Sequence, residues 1–165
     1  MAAQRSPTTT DATSCGTVVI GSDHGGYRTK QAVIRALAAN RYTIVDVGGF
    51  DPAVPDDYPV YAHEVARAVA GDRTGKTSGV LICGSGTGMS IAANRHKGVR
   101  AALVYDSYSA RMARHDNDAN IACLRGRGFS EKRDVRLVLQ FLRTPFSSIP
   151  RHARRIRKID TGGKA

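Results

Sequence analysis

Cys83 stands where an apolar run ends and a glycine-rich turn begins: Val80, Leu81 and Ile82 precede it, and Gly84, Ser85, Gly86, Thr87 and Gly88 follow. Ser90 to Asn94 then read as helix. Three glycines in five residues let the backbone take positive φ and come close to a bound group, and the helix start behind them presents unpaired N–H donors. Such a turn suits an anion, and the same donors favour the thiolate form of a neighbouring cysteine. A thiolate can act as base or as nucleophile. The competing reading is an inert one, because a cysteine closing a buried strand often serves as a small hydrophobe.

The elements that must position this turn can be read on either side of it. Thr17 to Ser22 is a β-branched apolar run that stops at Asp23, His24, Gly25 and Gly26, and a helical pattern follows from Tyr27 to Asn40, with Val33, Ile34, Leu37 and Ala38 on one face. Tyr42 to Val47 reads as the second strand. Phe50 to Asp57, with two prolines and three aspartates, reads as a loop, and Pro59 suits the first turn of a helix to Ala70. Val99 to Val104 is the fourth strand, capped into a helix through Arg114 by Asp106 or Ser107. Asn120 to Leu124 is the fifth. Ser130 caps a helix whose Val135, Val138, Leu139 and Leu142 keep one face, and Pro145 and Pro150 bracket a loop before a basic terminal helix.

Strands alternating with helices at this spacing predict right-handed βαβ units and a five-stranded parallel sheet covered on both faces. Ligands in such sheets bind beyond the carboxyl ends of the strands. That rule gathers Asp23 and His24, the segment Gly48 to Tyr58, Cys83 to Gly88, Asp106 and Arg127. A nucleotide fingerprint does not fit: GSGTG after the third strand is not GxGxxG after the first, and no GxxxxGK[ST] occurs.

Composition bounds the rest. The chain of 165 residues has the length of one domain, expected over residues 16–160, with a disordered leader at 1–15 and a flexible tail at 161–165. No apolar run has the length of a membrane span. Three cysteines, Cys15, Cys83 and Cys123, do not make a disulfide framework, no CxxC pattern points to a metal, and a reducing cytoplasm is the natural setting. A net charge of +11 raises the possibility of nucleic-acid binding, against which stands the scarcity of aromatic residues, six Tyr and four Phe with no stacking motif. The densest basic stretch, Arg151 to Lys158, equally suits a small phosphorylated ligand or a solvated helix face.

Taken together, SDHGGY at Ser22 to Tyr27, DYP at Asp57 to Pro59, ICGSGTGMSIAANR at Ile82 to Arg95, NDAN at Asn117 to Asn120 and RHARRIRKID at Arg151 to Asp160 resemble the type B ribose-5-phosphate isomerases, a family that includes galactose-6-phosphate isomerase subunits. The resemblance runs from Thr17 to Asp160. It implies a flavodoxin-like α/β/α fold with an extra C-terminal helix, homodimers or homotetramers with active sites shared between subunits, and no metal or organic cofactor. It also implies an aldose–ketose interconversion of a sugar phosphate through a cis-enediolate.

Carried onto this chain, the resemblance makes Cys83 the base that moves a proton between C1 and C2. The turn of Gly84, Ser85, Gly86, Thr87 and Gly88 cradles the substrate, the N–H groups from Ser85 onward stabilising the developing oxyanion, and Asn117 is a further donor. Asp23, His24 and Tyr58 are expected at the sugar, and Arg127, Arg151 and Arg155 at the phosphate, with Arg154 and Arg157 solvated. Ring opening in the family pairs the hydroxyl at the Ser85 position with a histidine, and here the sequence departs. Asp116 occupies that place and His115 the one before it, about 100° away on a helix. Three readings stay open: Asp116 acts, its carboxyl raised by burial; His115 swings inward; or the true substrate differs. His63, His96 and His152 read as surface or packing residues, and Cys123 as core. Ribose 5-phosphate is the leading substrate and a hexose 6-phosphate, allose or galactose, the runner-up. From other classes stand a nucleic-acid-binding module and an idle family scaffold.

Overall fold

The computed structural model describes residues 15–163; the predicted leader lies outside it except for Cys15, as does the end of the tail. Five parallel strands alternate with helices: β1 (Thr17–Ser22), α1 (Tyr27–Ala39), β2 (Thr43–Gly48), α2 (Tyr58–Gly71), β3 (Thr77–Cys83), α3 (Thr87–Ala93), β4 (Ala101–Val104), α4 (Ser107–His115), β5 (Ile121–Arg125), α5 (Glu131–Arg143) and α6 (Pro150–Asp160). A single 3-10 turn, His24–Gly26, joins β1 to α1. No helix among the described residues is long and apolar enough to cross a membrane.

The arrangement is a flavodoxin-like three-layer α/β/α fold, with strand order β2-β1-β3-β5-β4. The last two strands are exchanged relative to the 2-1-3-4-5 order common in such sheets. The exchange matters for the site: β5, not β4, lies beside β3, so that Cys83 and Arg125 stand in register. The Gly126 N–H donates to the Cys83 carbonyl at 2.8 Å.

Strand periodicity divides the core. From β1 and β3, Val18, Ile20, Val80 and Ile82 face α1, α4 and α5, meeting Val33, Leu37, Ala113, Leu137 and Phe141. Their alternates, Val19, Leu81 and Cys83, face α2 and α3, meeting Ala62, Val65, Ala66 and Met89. Strands buried on both sides carry near-continuous apolar runs, which is why these two were legible. The helix signals hold as well. Asp106 forms a capping box with Ser109 at the start of α4, and Ser130 accepts from the Arg133 N–H at the start of α5.

Most boundaries agree with expectation to within a residue, and two starts near the site shift by more. The helix behind the glycine turn starts at Thr87 rather than Ser90, because Gly86, at φ 78°, already turns the chain into it. The fourth strand starts at Ala101 rather than Val99, since Arg100 spends its N–H on the Asn120 side chain and its carbonyl on the Asn120 and Ile121 N–H groups.

Candidate active site

At the carboxyl end of the sheet lies a cavity of about 820 Å³, with Asp23, Tyr58, Cys83, Gly84, Ser85, Gly88 and Arg127 in its walls. β1, β3 and β5 deliver these groups side by side, and α2 leans Tyr58 over the turn. Gly88 has to be glycine for that contact, because a Cβ there would sit 2.5 Å from the Tyr58 ring. Leu103, Val104, Tyr105, Arg125 and Phe129 line the rest. None of these five was singled out from the sequence, although the strand-end rule that found Arg127 applies equally to Tyr105 and Arg125.

Cys83 is 4% exposed, and its sulfur accepts from the Gly86 N–H at 3.1 Å. Cys83 thus lines the cavity while nearly buried, with one turn amide aimed at its sulfur. That amide is committed to sulfur, and the Thr87 N–H reaches the Ser85 hydroxyl at 3.3 Å. Gly86 and Thr87 thus shape the turn, leaving Gly84, Ser85 and Gly88 as its cavity-facing members. Cys123 lies in the core behind, fully buried, its thiol pushed well above the ordinary range by desolvation.

Asp23 is 8% exposed and caps the 3-10 turn, accepting from the Gly26 N–H at 2.9 Å. Burial raises its carboxyl above the usual value, against the Gly26 hydrogen bond that lowers it. His24 lies just outside the lining. Its ring Nδ1 is 2.9 Å from an oxygen of Asp56, its backbone N–H donates to the same oxygen at 2.8 Å, and the Tyr61 hydroxyl donates to the other at 2.8 Å. Burial pushes the Asp56 carboxyl up, but these hydrogen bonds prevail and hold it below the ordinary range. Asp56 is thus an orienting group for His24, and in the sequence it was one of several aspartates in a loop. Asp106 does not face this site; its carboxylate is spent on the α4 cap.

The remaining predicted residues form a second cluster. In a parallel sheet, a helix that leaves the carboxyl end of β4 returns to the amino end of β5, so the end of α4 carries His115, Asp116 and Asn117 to the opposite edge of the sheet. The loop before α6 joins them there, the Ser147 N–H donating to the His115 carbonyl at 3.0 Å, and α6 brings Arg151 and Arg155, both exposed. A strand the length of β5 separates the clusters by on the order of 15 Å. Within one chain the two groups do not meet.

Asp116 corrects the premise of one reading. Its side chain is 39% exposed, and the His115 hydrogen bond holds its carboxyl below the usual range, outweighing a weak effect of burial in the opposite sense. It is an ionised carboxylate rather than a buried acid. The histidines read as surface or packing residues have hydrogen-bond partners. His63 and His96 share a ring hydrogen bond of 2.8 Å, and His152, 3% exposed, lies 2.9 Å from the Ser147 hydroxyl and 3.5 Å from Asp116.

Comparison with known proteins gives a consistent pattern. The family model described as ribose/galactose isomerase matches residues 18–159. The probable ribose-5-phosphate isomerase B of Mycoplasma pneumoniae is 38% identical over 142 residues, which are 86% of this chain and 91% of that one. Among solved structures, the ribose 5-phosphate isomerase of Thermotoga maritima superposes with a TM-score of 0.82 at 40% identity, covering 88% of this chain and 98% of the other. Ribose-5-phosphate isomerase B of Mycoplasma genitalium, solved with bound ribulose 5-phosphate, gives 0.84 at 38% identity, covering 88% and 95%.

Proposed function

The chain belongs to the ribose/galactose isomerase family, and from that premise we propose that it interconverts ribose 5-phosphate and ribulose 5-phosphate with Cys83 as the base. A carbon acid beside a carbonyl requires a base at the carbon and donors at the oxygen where charge develops. The Cys83 thiolate takes the proton from C2 of the open aldose, and a C1–C2 double bond forms as the carbonyl electron pair moves to O1. The sulfur returns the proton to C1, while the proton on O2 passes to O1 and C2 becomes the ketone. Atoms and charge balance without a redox partner.

The observation that carries this reading is that Cys83 lines a cavity whose walls include Asp23, Tyr58 and Arg127, with the Gly86 N–H aimed at its sulfur. Cys123, in the same core layer, is wholly buried and lines no part of this cavity. The phosphate is held by guanidinium forks, which match its geometry better than an ammonium. Arg127 is supplied by the same chain, and Arg151 and Arg155 by a second copy. The two-cluster layout supports a shared site: a closed dimer brings the α4–α6 end of one copy to the Cys83 end of the other, and twofold symmetry completes two sites at once. A cytoplasmic setting belongs to the same reading, supported by relatives named as metabolic isomerases.

A coupled assay with ribose 5-phosphate, allose 6-phosphate and galactose 6-phosphate, on wild type and Cys83→Ala, tests the proposal. Ribose 5-phosphate is expected to turn over fastest and Cys83→Ala to remove nearly all of the activity. A cavity of about 820 Å³ falls in the usual small-ligand range of about 300–1,000 Å³ and also admits a six-carbon chain, so a faster hexose phosphate would move the substrate assignment. Full activity in Cys83→Ala would overturn the mechanism.

A further inference from the structure

The cavity beside Cys83 runs past the ends of four neighbouring strands, from Asp23 behind β1 to Tyr105 behind β4. That is three strand spacings, or roughly 14 Å. Under the reading above, on which this inference rests, the β1 side holds the substrate, with Cys83 at the reacting carbon and Arg127 at the phosphate. The β4 side, lined by Leu103, Tyr105, Arg125 and Phe129, is left without a task.

Strand alternation sets Arg125 on the face of the sheet that Cys83 occupies. Ile121 and Cys123 pack with Leu81 and Cys83 toward α2 and α3, whereas Ala122 and Leu124 pack into the other layer. Cys83 and Arg125 are also direct partners across β3 and β5. Beyond the strand end the two arginines part. Arg127 leans toward β1, where a Cβ on Gly25 would lie 3.2 Å from its Nε. Arg125 leans the other way: its Nη2 is 2.9 Å from where a Cβ on Gly128 would stand, and its guanidinium carbon lies 5.0 Å from the centre of the Phe129 ring. Arg133 covers the same ring at 3.6 Å and donates to the Tyr105 carbonyl, which ties this wall to the end of β4.

Neither Arg125 nor Arg127 has a carboxylate partner among the described residues, in contrast to Arg100 and Arg114, both paired with Asp118. The acidic residue in the cavity wall is Asp23, on the β1 side, so the positive charge on the β4 side is not offset. A guanidinium resting on an aromatic ring is held in place while its N–H fork stays free for an anion.

We propose that Arg125, steadied by Phe129, forms a second anion subsite across Cys83 from Arg127, and that the cavity binds sugar phosphates carrying a second phosphate at the C1 end. An open-chain ketose held by its 5-phosphate at Arg127 and its C2 at Cys83 directs C1 toward Arg125. A phosphate ester on O1 then meets that guanidinium. The same ester prevents O1 from becoming a carbonyl oxygen, so a ketopentose 1,5-bisphosphate occupies the cavity without being isomerised. Such a ligand is a competitive inhibitor, and the subsite makes the isomerase responsive to bisphosphorylated sugars.

Calorimetric titration of the full-length protein at fixed ionic strength tests this, with ribulose 1,5-bisphosphate as one ligand and the equilibrium mixture of ribose and ribulose 5-phosphates as the other. Turnover of ribose 5-phosphate is measured alongside. Wild type is expected to bind the bisphosphate about tenfold more tightly or better, as a charge-assisted hydrogen-bonded pair provides. Arg125→Gln, a change at an exposed side chain, is expected to bring the two affinities within about twofold of each other. Phe129→Leu keeps the charge and removes the ring, and is expected to lower the preference about threefold. Arg35→Gln removes one charge from an exposed position on α1 outside the cavity lining and is expected to keep the preference. An equal loss in Arg35→Gln and Arg125→Gln would show a general effect of net charge and overturn the subsite. An active wild type without the preference, or a preference that survives Arg125→Gln, would overturn the subsite and leave the isomerase reading standing. A wild type that neither turns over ribose 5-phosphate nor binds either ligand would overturn both.

Discussion

Asp134 gives the protein a stability cost that depends on pH and can be removed by one atom's change. It lies in the first turn of α5, 1% exposed, and its Oδ2 has no hydrogen-bond partner among the described residues. Desolvation raises the carboxyl from 3.8 to about 6, against the pull of Arg133. The sign follows from linkage. Below pH 3.8 the group is protonated whether the chain is folded or not, and nothing is lost. As pH rises toward 6 the unfolded chain releases its proton while the folded chain retains it, so folding stability falls, and the loss is complete above about pH 7. A difference of about two pH units corresponds to about 3 kcal/mol. Asp134→Asn keeps the shape without the ionisation. Urea unfolding of both proteins from pH 4 to pH 8 is therefore expected to show the variant gaining on wild type by about 2–3 kcal/mol across that range, with most of the change between pH 4 and pH 6.5. A stability difference that stays flat with pH would show that the carboxylate is solvated in the folded protein, and the reasoning from its burial would fail.

Asp46 holds the ammonium of Lys30, a side chain with no exposure, through contacts of 2.8 and 2.9 Å; Asp46→Ala removes its carboxylate partner, leaving the Gly48 carbonyl and the Phe50 ring beside it, and is expected to cost about 3–5 kcal/mol in urea unfolding, whereas a loss below about 1 kcal/mol would mean that water reaches Lys30. Gly88→Ala places a methyl group 2.5 Å from the far end of the Tyr58 ring, which can swing only at the expense of the cavity. Stability is expected to change by less than about 1 kcal/mol while kcat/KM falls about tenfold, as misplacement of a lining group does, and an unchanged kcat/KM would remove Tyr58 from the site.

Much of the fold was legible because its signals are local. The β-branched run at Thr17–Ser22, the Ser130 cap and the apolar face of α5 each state their own structure, and alternating strands and helices leave little choice beyond a parallel sheet. The exchange of β4 and β5 was not legible, because strand order depends on which crossovers pack and no residue in either strand announces it. The site divides in the same way. Cys83, Asp23 and Arg127 follow strand ends and were found by position, whereas Asp56 became visible only when a loop folded back onto His24. The tie between His152 and Asp116 spans separate elements, and the pattern of charges in α6 gives no hint of it. The state of Asp116 was misread for a related reason: its sequence context says helix end, and whether a helix end is buried or open to water is settled by what packs on it.

The central claim is that one active site is built from two copies, the sulfur half from one and the α4–α6 half from the other. Co-refolding Cys83→Ala with Arg151→Ala, each inactive alone, tests it most directly. Random pairing makes half of the dimers mixed, and each mixed dimer has one intact site of two, so activity on ribose 5-phosphate is expected to return to about a quarter of wild type. Activity that stays at the level of the separate variants would contradict the shared site.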